Sequence, residues 1–327
     1  MTLYPLKFNP VFSYRIWGGN KLKTVLNKDY NKDYNQDSIG ESWEISDVEN
    51  NETLVSEGEL KGKSLKELIK EFKGELVGNS VYKTFGNNFP LLIKFIDAKT
   101  PLSIQVHPSN ELAKERHNSF GKNEMWYVME AEKDAELIIG FNQETDKVSY
   151  QELLNKSTVT EILNIEKVNQ GDTFYIPTGR VHAIGAGVLL AEIQQTSDIT
   201  YRIYDYDRVD KATGKKRELH TDLALNAIDF NLYENYKTNY TNTINTTNKL
   251  VHSLYFKTNF IHVNEKLSRD ITNIDSFVIY ICIDGGMEIN YNNQIIYLTK
   301  GETILVPANI AFLNFSSEDG KLLEVFI

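Results

Sequence analysis

Along the chain, short runs with strand-like alternation outnumber runs with helical spacing. Alternation with period two marks strands whose polar side chains share one face, and it is clearest at Glu41-Ser-Trp43-Glu-Ile45-Ser and at Ser103-Ile-Gln105-Val-His107. Further strands are predicted at 90–96, 126–130, 135–140 and 188–194, and the segment 171–184 reads as a turn, a short buried strand, a Pro-containing turn and then Val181-His182-Ala183. Helical spacing is scarcer. Leu65, Leu68, Ile69 and Phe72 follow Ser64, which with Glu67 forms a capping box, and predict one amphipathic surface helix over Ser64 to Val77. A helical insertion around Ser149 to Leu163 and a second amphipathic helix near Thr221 to Ile228 complete the set. The polar stretch from Lys28 to Ser38 reads as an exposed excursion, and Tyr236 to Lys249 as a linker or solvent-exposed ribbon.

The second part of the chain repeats the first. Gly171-Asp-Thr-Phe-Tyr-Ile-Pro177 aligns without gaps on Gly301-Glu-Thr-Ile-Leu-Val-Pro307, so the same turn, strand and proline occur twice. Such a repeat implies two similar β domains. The fold expected is mostly β: two jelly-roll (cupin) β-sandwich domains with a few short peripheral helices, divided as 1–235 and 236–327. Extending the register sets Phe312 opposite His182, and apolar residues from Phe277 to Ile281 stand where the first copy has Glu124. The C-terminal copy is expected to lack ligands.

Candidate chemistry concentrates between Pro101 and Trp126. Ser103, Gln105 and His107 share one strand face, Glu124 follows at the start of another apolar run beside Lys122, and His182 follows a Pro-containing turn. Gln105, His107, Glu124 and His182 bring two imidazoles and two oxygens to one pocket in such a sandwich. That set suits zinc, while spacing alone permits manganese, iron or cobalt. Each residue also has an ordinary reading, since a His before Pro often serves a turn and a Glu before an aromatic run often ends a strand in solvent. All four fall in one half of a duplicated sequence, which favours the joint site.

Composition narrows the field. The chain has 327 residues, 41% hydrophobic and 24% charged, and a formal net charge of -10, an ordinary globular balance without the basic footprint that nucleic acid or anionic membrane requires. A small phosphorylated ligand needs only local cations. The N-terminal stretch interrupts any secretory segment with charges and prolines, and no run is long enough to span a bilayer, so the cytoplasm is the expected location. Cys282 inside an apolar run reads as a buried small hydrophobe. Gly185-Ala-Gly187 precedes no helix and is no dinucleotide fingerprint, while His117, His220, His252 and His262 lack ligand spacing. Sequons at Asn239 and Asn245 read as chance in an Asn-rich chain, and no obligate protein partner is evident.

The segments SIQVHP (103–108), KNE (122–124), VHAIG (181–185) and EIQQTSDITYRIYDYDR (192–208) closely resemble type I phosphomannose isomerases, in the short bacterial form without an added helical domain. The likeness spans nearly the whole chain in the expected order. It implies one zinc ion held by Gln105, His107, Glu124 and His182, a catalytic arginine at Arg202, and interconversion of mannose 6-phosphate and fructose 6-phosphate. Asn123 departs from the proline that many members carry there. Moving a proton between C1 and C2 needs a base, for which Glu192 is the candidate; a metal-held hydroxide or a histidine could serve instead. Arg202 and Lys122 suit the enediolate or the phosphate, with Ser103 also toward substrate, and Trp17 and Trp43 are candidates to wall the sugar. Two rivals stand beside this reading. One is another cupin metalloenzyme, either another sugar-phosphate isomerase or an iron-dependent oxygenase, the latter opposed by a fourth ligand at Gln105. The other is a non-catalytic sugar sensor, disfavoured by the full complement of polar groups.

Overall fold

The computed structural model describes residues 2–30 and 38–327, so most of the excursion expected at 28–38 lies outside the described residues. Two antiparallel sheets make the N-terminal sandwich. The first runs in the order Thr173–Ile176, Glu124–Ala131, Val188–Gln195, Leu91–Ala98, Val11–Gly19 and Ile39–Ile45; the second runs Tyr201–Tyr204, Ile104–Val106, His182–Ile184, Glu136–Phe141 and Leu163–Lys167. Among the described residues neither sheet closes into a barrel. Among the described residues no helix is long and apolar enough to cross a membrane.

The first sheet is covered on both faces, which explains its nearly unbroken apolar strands. Leu91, Ile93, Phe95, Met125, Tyr127, Leu189, Ala191 and Ile193 pack with Phe277, Ile279, Ile281, Leu323 and Val325 of the C-terminal sandwich in one shared core. From the other face, Ile96, Ala98, Trp126, Val128, Val188 and Leu190 meet Leu137, Ile139 and Ile184 of the second sheet. Phe89 and Phe277 pack across the junction as a tilted pair, ring centroids 4.5 Å apart and planes 37° to each other. Near the amino terminus, Leu6 and Leu305 exchange backbone hydrogen bonds at 2.7 and 2.9 Å. Because both sandwiches share this core, Phe277→Ala is expected to destabilise the full chain by about 3–5 kcal/mol. Denaturant unfolding followed by near-UV and far-UV circular dichroism should show both sandwiches losing structure in one transition.

The C-terminal sheet orders Thr247–His252, Lys257–Asp270, Phe312–Phe326, Val278–Asp284 and Thr303–Val306, with the hairpin Gly286–Tyr291 and Gln294–Thr299 joined through Phe312–Phe326. The repeat is visible in its backbone. Gly171 and Gly301 begin the two matched segments with φ of 92° and 88°, a conformation that favours glycine. The strands that follow pair alike, Ile176 with Glu124 and Val306 with Val278, so an apolar side chain occupies the place of Glu124. Phe312 is 61% exposed where His182 is 1% exposed.

Helices cover the edges. The capping box forms, with the Ser64 hydroxyl accepting from the Glu67 amide and the Glu67 carboxylate from the Ser64 amide at 2.8 Å. The helix is nevertheless shorter than predicted: Leu65–Phe72 stops at Lys73, whose φ of 50° breaks the ladder, and Gly74–Val77 is a separate turn. The insertion is a helix at Lys147–Asn155 and a 3-10 turn at Val159–Ile162, and the later helix is only Thr221–Leu225. The helix Asn110–His117 is not predicted by periodicity because Ala113 is its one buried residue, which gives no apolar stripe; its signals are at its ends, the capping hydroxyl of Ser109, Glu111 in the first turn and Lys114, Arg116 and His117 in the last. The segment after Tyr236 is largely exposed, as expected, but it is tied to the first sandwich at its start. Tyr236 is buried, its hydroxyl accepting from the Phe141 amide at 3.1 Å and donating to the Phe141 carbonyl at 3.0 Å, and Tyr240 donates to the Gly171 carbonyl at 2.8 Å.

Candidate active site

Ile104 and Val106 bury into the outer core of the second sheet with Tyr201 and Ile203, which turns Gln105 to the inner face. His182 opens its strand directly opposite Gln105, and His107 follows the end of the Gln105 strand. Glu124 comes from the facing sheet at the first position of Glu124–Ala131. The period-two pattern thus brings four side chains from two sheets together. His107 Nε2 lies 3.5 Å from Glu124 Oε2, His182 Nε2 3.5 Å from Glu124 Oε1, and the Gln105 amide nitrogen 3.3 Å from His182 Nε2.

Backbone carbonyls fix the imidazoles. Nδ1 of His107 lies 2.9 Å from the Ile199 carbonyl, and Nδ1 of His182 lies 2.8 Å from that of Arg180. A carbonyl only accepts, so both Nδ1 atoms carry hydrogen and both Nε2 lone pairs turn toward Glu124. Burial pushes the His107 imidazolium well below its usual range, with the Lys122 charge adding to it, and takes His182 down to about 4. Both rings are neutral near pH 7. Burial, with help from Glu192, raises Glu124 to about 7, against the pull of Lys122. Glu124 Oε1 is buried without a hydrogen-bond donor. The orphaned Oε1 faces the His182 lone pair and Oε2 faces that of His107, a set of acceptors that a cation would satisfy. The donor atoms of His107, Glu124 and His182 lie within 4.8 Å of one another, and these residues fit a divalent metal.

Beside this cluster is a cavity of about 430 Å³, walled by Trp17, Trp43 and Trp126 and reached by Ser103, Glu192 and Arg202. Glu192 accepts from Trp126 Nε1 at 3.0 Å, and its other oxygen lies 3.6 Å from both Lys94 and Lys122. Burial alone would raise the Glu192 carboxyl, but the two ammonium groups hold it below its ordinary value. Lys122 also bonds Glu124 and lies 3.3 Å from His107 Nε2; burial would lower it, yet Glu124 and Glu192 hold it above its usual value. Arg202 is set opposite Gln105 in the neighbouring strand. Its Nη1 donates to the Glu218 carbonyl at 2.7 Å, while its Nε is buried without an acceptor. Asp205 is taken by Arg208 and Arg217, so Arg202 stands outside that ion cluster. Ser103 is buried with its hydroxyl 3.4 Å from the Gln105 amide oxygen.

Asn123 does work that proline could not do. Its amide and side chain both donate to Gln195 Oε1, at 3.0 and 2.7 Å, and its oxygen accepts from the Thr178 amide at 3.1 Å.

Sequence reasoning missed a second charged group in the cavity. Lys94 lies 4.0 Å from Glu41 and 4.6 Å over the Trp43 ring, and Glu41 is gripped by Arg15 at 3.0 and 2.9 Å and by Trp43 Nε1 at 2.7 Å. The signal was present: Lys94 is the single charge inside the apolar run from Pro90 to Ile96. Burial opposes ionisation of Glu41, but Lys94 and Arg15 outweigh it and take its carboxyl to about 2. A depressed carboxyl stabilises the fold above its unfolded value, and that contribution fades as pH falls toward the folded one. The stability gap between wild type and Glu41→Gln is therefore expected to be about 3 kcal/mol and flat above pH ~5, shrinking as the pH is lowered toward 2. Urea titrations across that range measure it.

Comparison with known proteins follows the same lines. Residues 5–152 match the profile described as phosphomannose isomerase type I, catalytic domain, and residues 246–327 match mannose-6-phosphate isomerase, cupin domain. The chain is 43% identical over 230 residues to mannose-6-phosphate isomerase ManA of Bacillus subtilis, covering 70% of this chain and 69% of that one. It is 34% identical to the putative mannose-6-phosphate isomerase YvyI of the same organism across 95% of both chains. The crystal structure of the Bacillus subtilis mannose 6-phosphate isomerase superposes with a TM-score of 0.88 at 31% identity, covering 99% of this chain and 100% of that one. With both sandwiches matched and the whole length aligned, the chain belongs to the type I phosphomannose isomerase family of enzymes.

Proposed function

We propose that the chain interconverts mannose 6-phosphate and fructose 6-phosphate through an enediolate, with one zinc ion held by Gln105, His107, Glu124 and His182. The observation that carries this reading is a buried Glu124 carboxylate with one neutral imidazole at each oxygen and Oε1, on the His182 side, without a donor, beside a cavity that also holds an ionised, buried Glu192. A zinc ion held by these residues would supply Lewis-acid polarisation of the sugar's oxygens.

The remaining work falls to the chain's own groups. Glu192 removes the proton from C2 of the open-chain aldose and returns it to C1 while the O2 hydroxyl proton passes to O1, so the carbonyl moves from C1 to C2; the hydrogen bond from Trp126 keeps one Glu192 oxygen anchored while the other serves. Lys94 and Lys122 flank that oxygen and provide a fixed positive field for the negative enediolate. Arg202 offers its unpartnered Nε to the developing oxyanion or the phosphate. Trp17, Trp43 and Trp126 exclude water from the reacting carbons. Sugar-phosphate chemistry also agrees with what the relatives are named for. A carboxylate base exchanges its proton with solvent, so turnover in D₂O is expected to place deuterium at C1 of the fructose 6-phosphate formed. Product without deuterium after many turnovers would replace the enediolate with a hydride shift.

A further inference from the structure

The C-terminal sandwich contains a buried carboxylate that the proposed chemistry does not use. Glu324 is 0% exposed, and both of its oxygens are saturated. Oε1 accepts from Arg269 Nε at 2.7 Å and from the Tyr280 hydroxyl at 2.9 Å; Oε2 accepts from Arg269 Nη2 at 3.0 Å and from Asn259 Nδ2 at 2.8 Å.

Three registers give this carboxylate its place in the duplicated fold. Phe174 pairs with Trp126 in the first copy and Ile304 with Tyr280 in the second, so Tyr280 is the counterpart of Trp126. Across the next ladder Trp126 pairs with Glu192, and Tyr280 pairs with Glu324. One strand further, Glu192 pairs with Lys94, and Glu324 with Asn259. Even the aromatic donor is kept: indole nitrogen to Glu192 at 3.0 Å, phenol to Glu324 at 2.9 Å. Glu324 therefore stands where the catalytic half carries Glu192.

What differs is the source of positive charge. The catalytic half balances Glu192 with Lys94 and Lys122. The other half has neutral Asn259 in place of Lys94, and its facing strand is one residue out of phase. Phe312 points outward, Leu313 inward, and Arg269, paired with Leu313, comes inward with it. Its guanidinium grips Glu324 with two parallel bonds, the geometry in which a planar fork matches a carboxylate.

We infer that Glu324, Tyr280 and Asn259 form a guanidinium-binding site descended from the same face as the active site, with Arg269 as its resident ligand. The chain's own cation takes the part that external ligands play in the catalytic half, and the C-terminal sandwich is a closed copy that needs none.

The test uses the full-length protein and its thermal midpoint. Arg269→Ala leaves a buried, unpaired carboxylate and is expected to lower the midpoint by roughly 10 °C. Millimolar guanidinium chloride should raise the midpoint of Arg269→Ala and leave wild type unmoved, while equal concentrations of urea or tetramethylammonium chloride should do neither. Adding Glu324→Gln to Arg269→Ala should recover most of the loss and abolish the guanidinium response. The inference is overturned if Arg269→Ala is as stable as wild type, or if guanidinium shifts the double variant as much as the single. Should Arg269→Ala not accumulate as folded protein, the double variant decides: a folded double supports the site, and a double equally unfolded overturns it.

Discussion

Glu192→Gln is expected to lower kcat about 10²- to 10⁴-fold, the usual range for a positioned general base, while metal content stays at the wild-type level. The substitution keeps an oxygen that can accept from Trp126 Nε1 and removes only the basic one and the charge. Because Glu192 lies between Lys94 and Lys122, each 3.6 Å away, the same change leaves two buried ammonium groups with less compensation. A purely electrostatic role would therefore also lower activity. Exchange separates the two readings: loss of deuterium incorporation from D₂O together with kcat marks a lost base, whereas slow turnover with undiminished incorporation per product marks a lost counter-ion and moves the base elsewhere.

His182→Ala is expected to cost about 10³-fold or more in kcat/KM and to remove most of the bound metal. His182 gives the buried cluster a neutral nitrogen aimed at Glu124, with its other nitrogen held by the Arg180 carbonyl. Without it Glu124 Oε1 loses its one close neighbouring ligand atom in the second sheet. Elemental analysis of the purified variant checks the metal, and the isomerase assay with zinc in excess checks the rate. A variant that keeps full metal and full rate would move the metal away from this cluster.

Much of this was legible because period two is easy to read where one face is polar. Gln105 alternates with Ile104 and Val106, and the structure turns it to the inner face on which His182 begins its strand. The duplication was legible from a turn, a strand and a proline, since Gly171 and Gly301 both need a positive φ that few residues accept. Other features were hidden for physical reasons. Nothing local announces that the strand faces carrying Leu91 and Ile279 meet in one core, because a run buried on both sides looks the same whichever partner covers it. Lys73 ends its helix by adopting a left-handed φ that its side chain does not advertise. Glu324 stands alone as a charge in the apolar run from Leu322 to Ile327, and only the register shows what it faces.

The most direct measurement is conversion of mannose 6-phosphate to fructose 6-phosphate by the purified protein, before chelation, after chelation and after zinc is restored. Turnover that is lost with the chelator and returns with zinc is the expected result. Zinc-loaded, folded protein that leaves mannose 6-phosphate unchanged would contradict the proposed reaction.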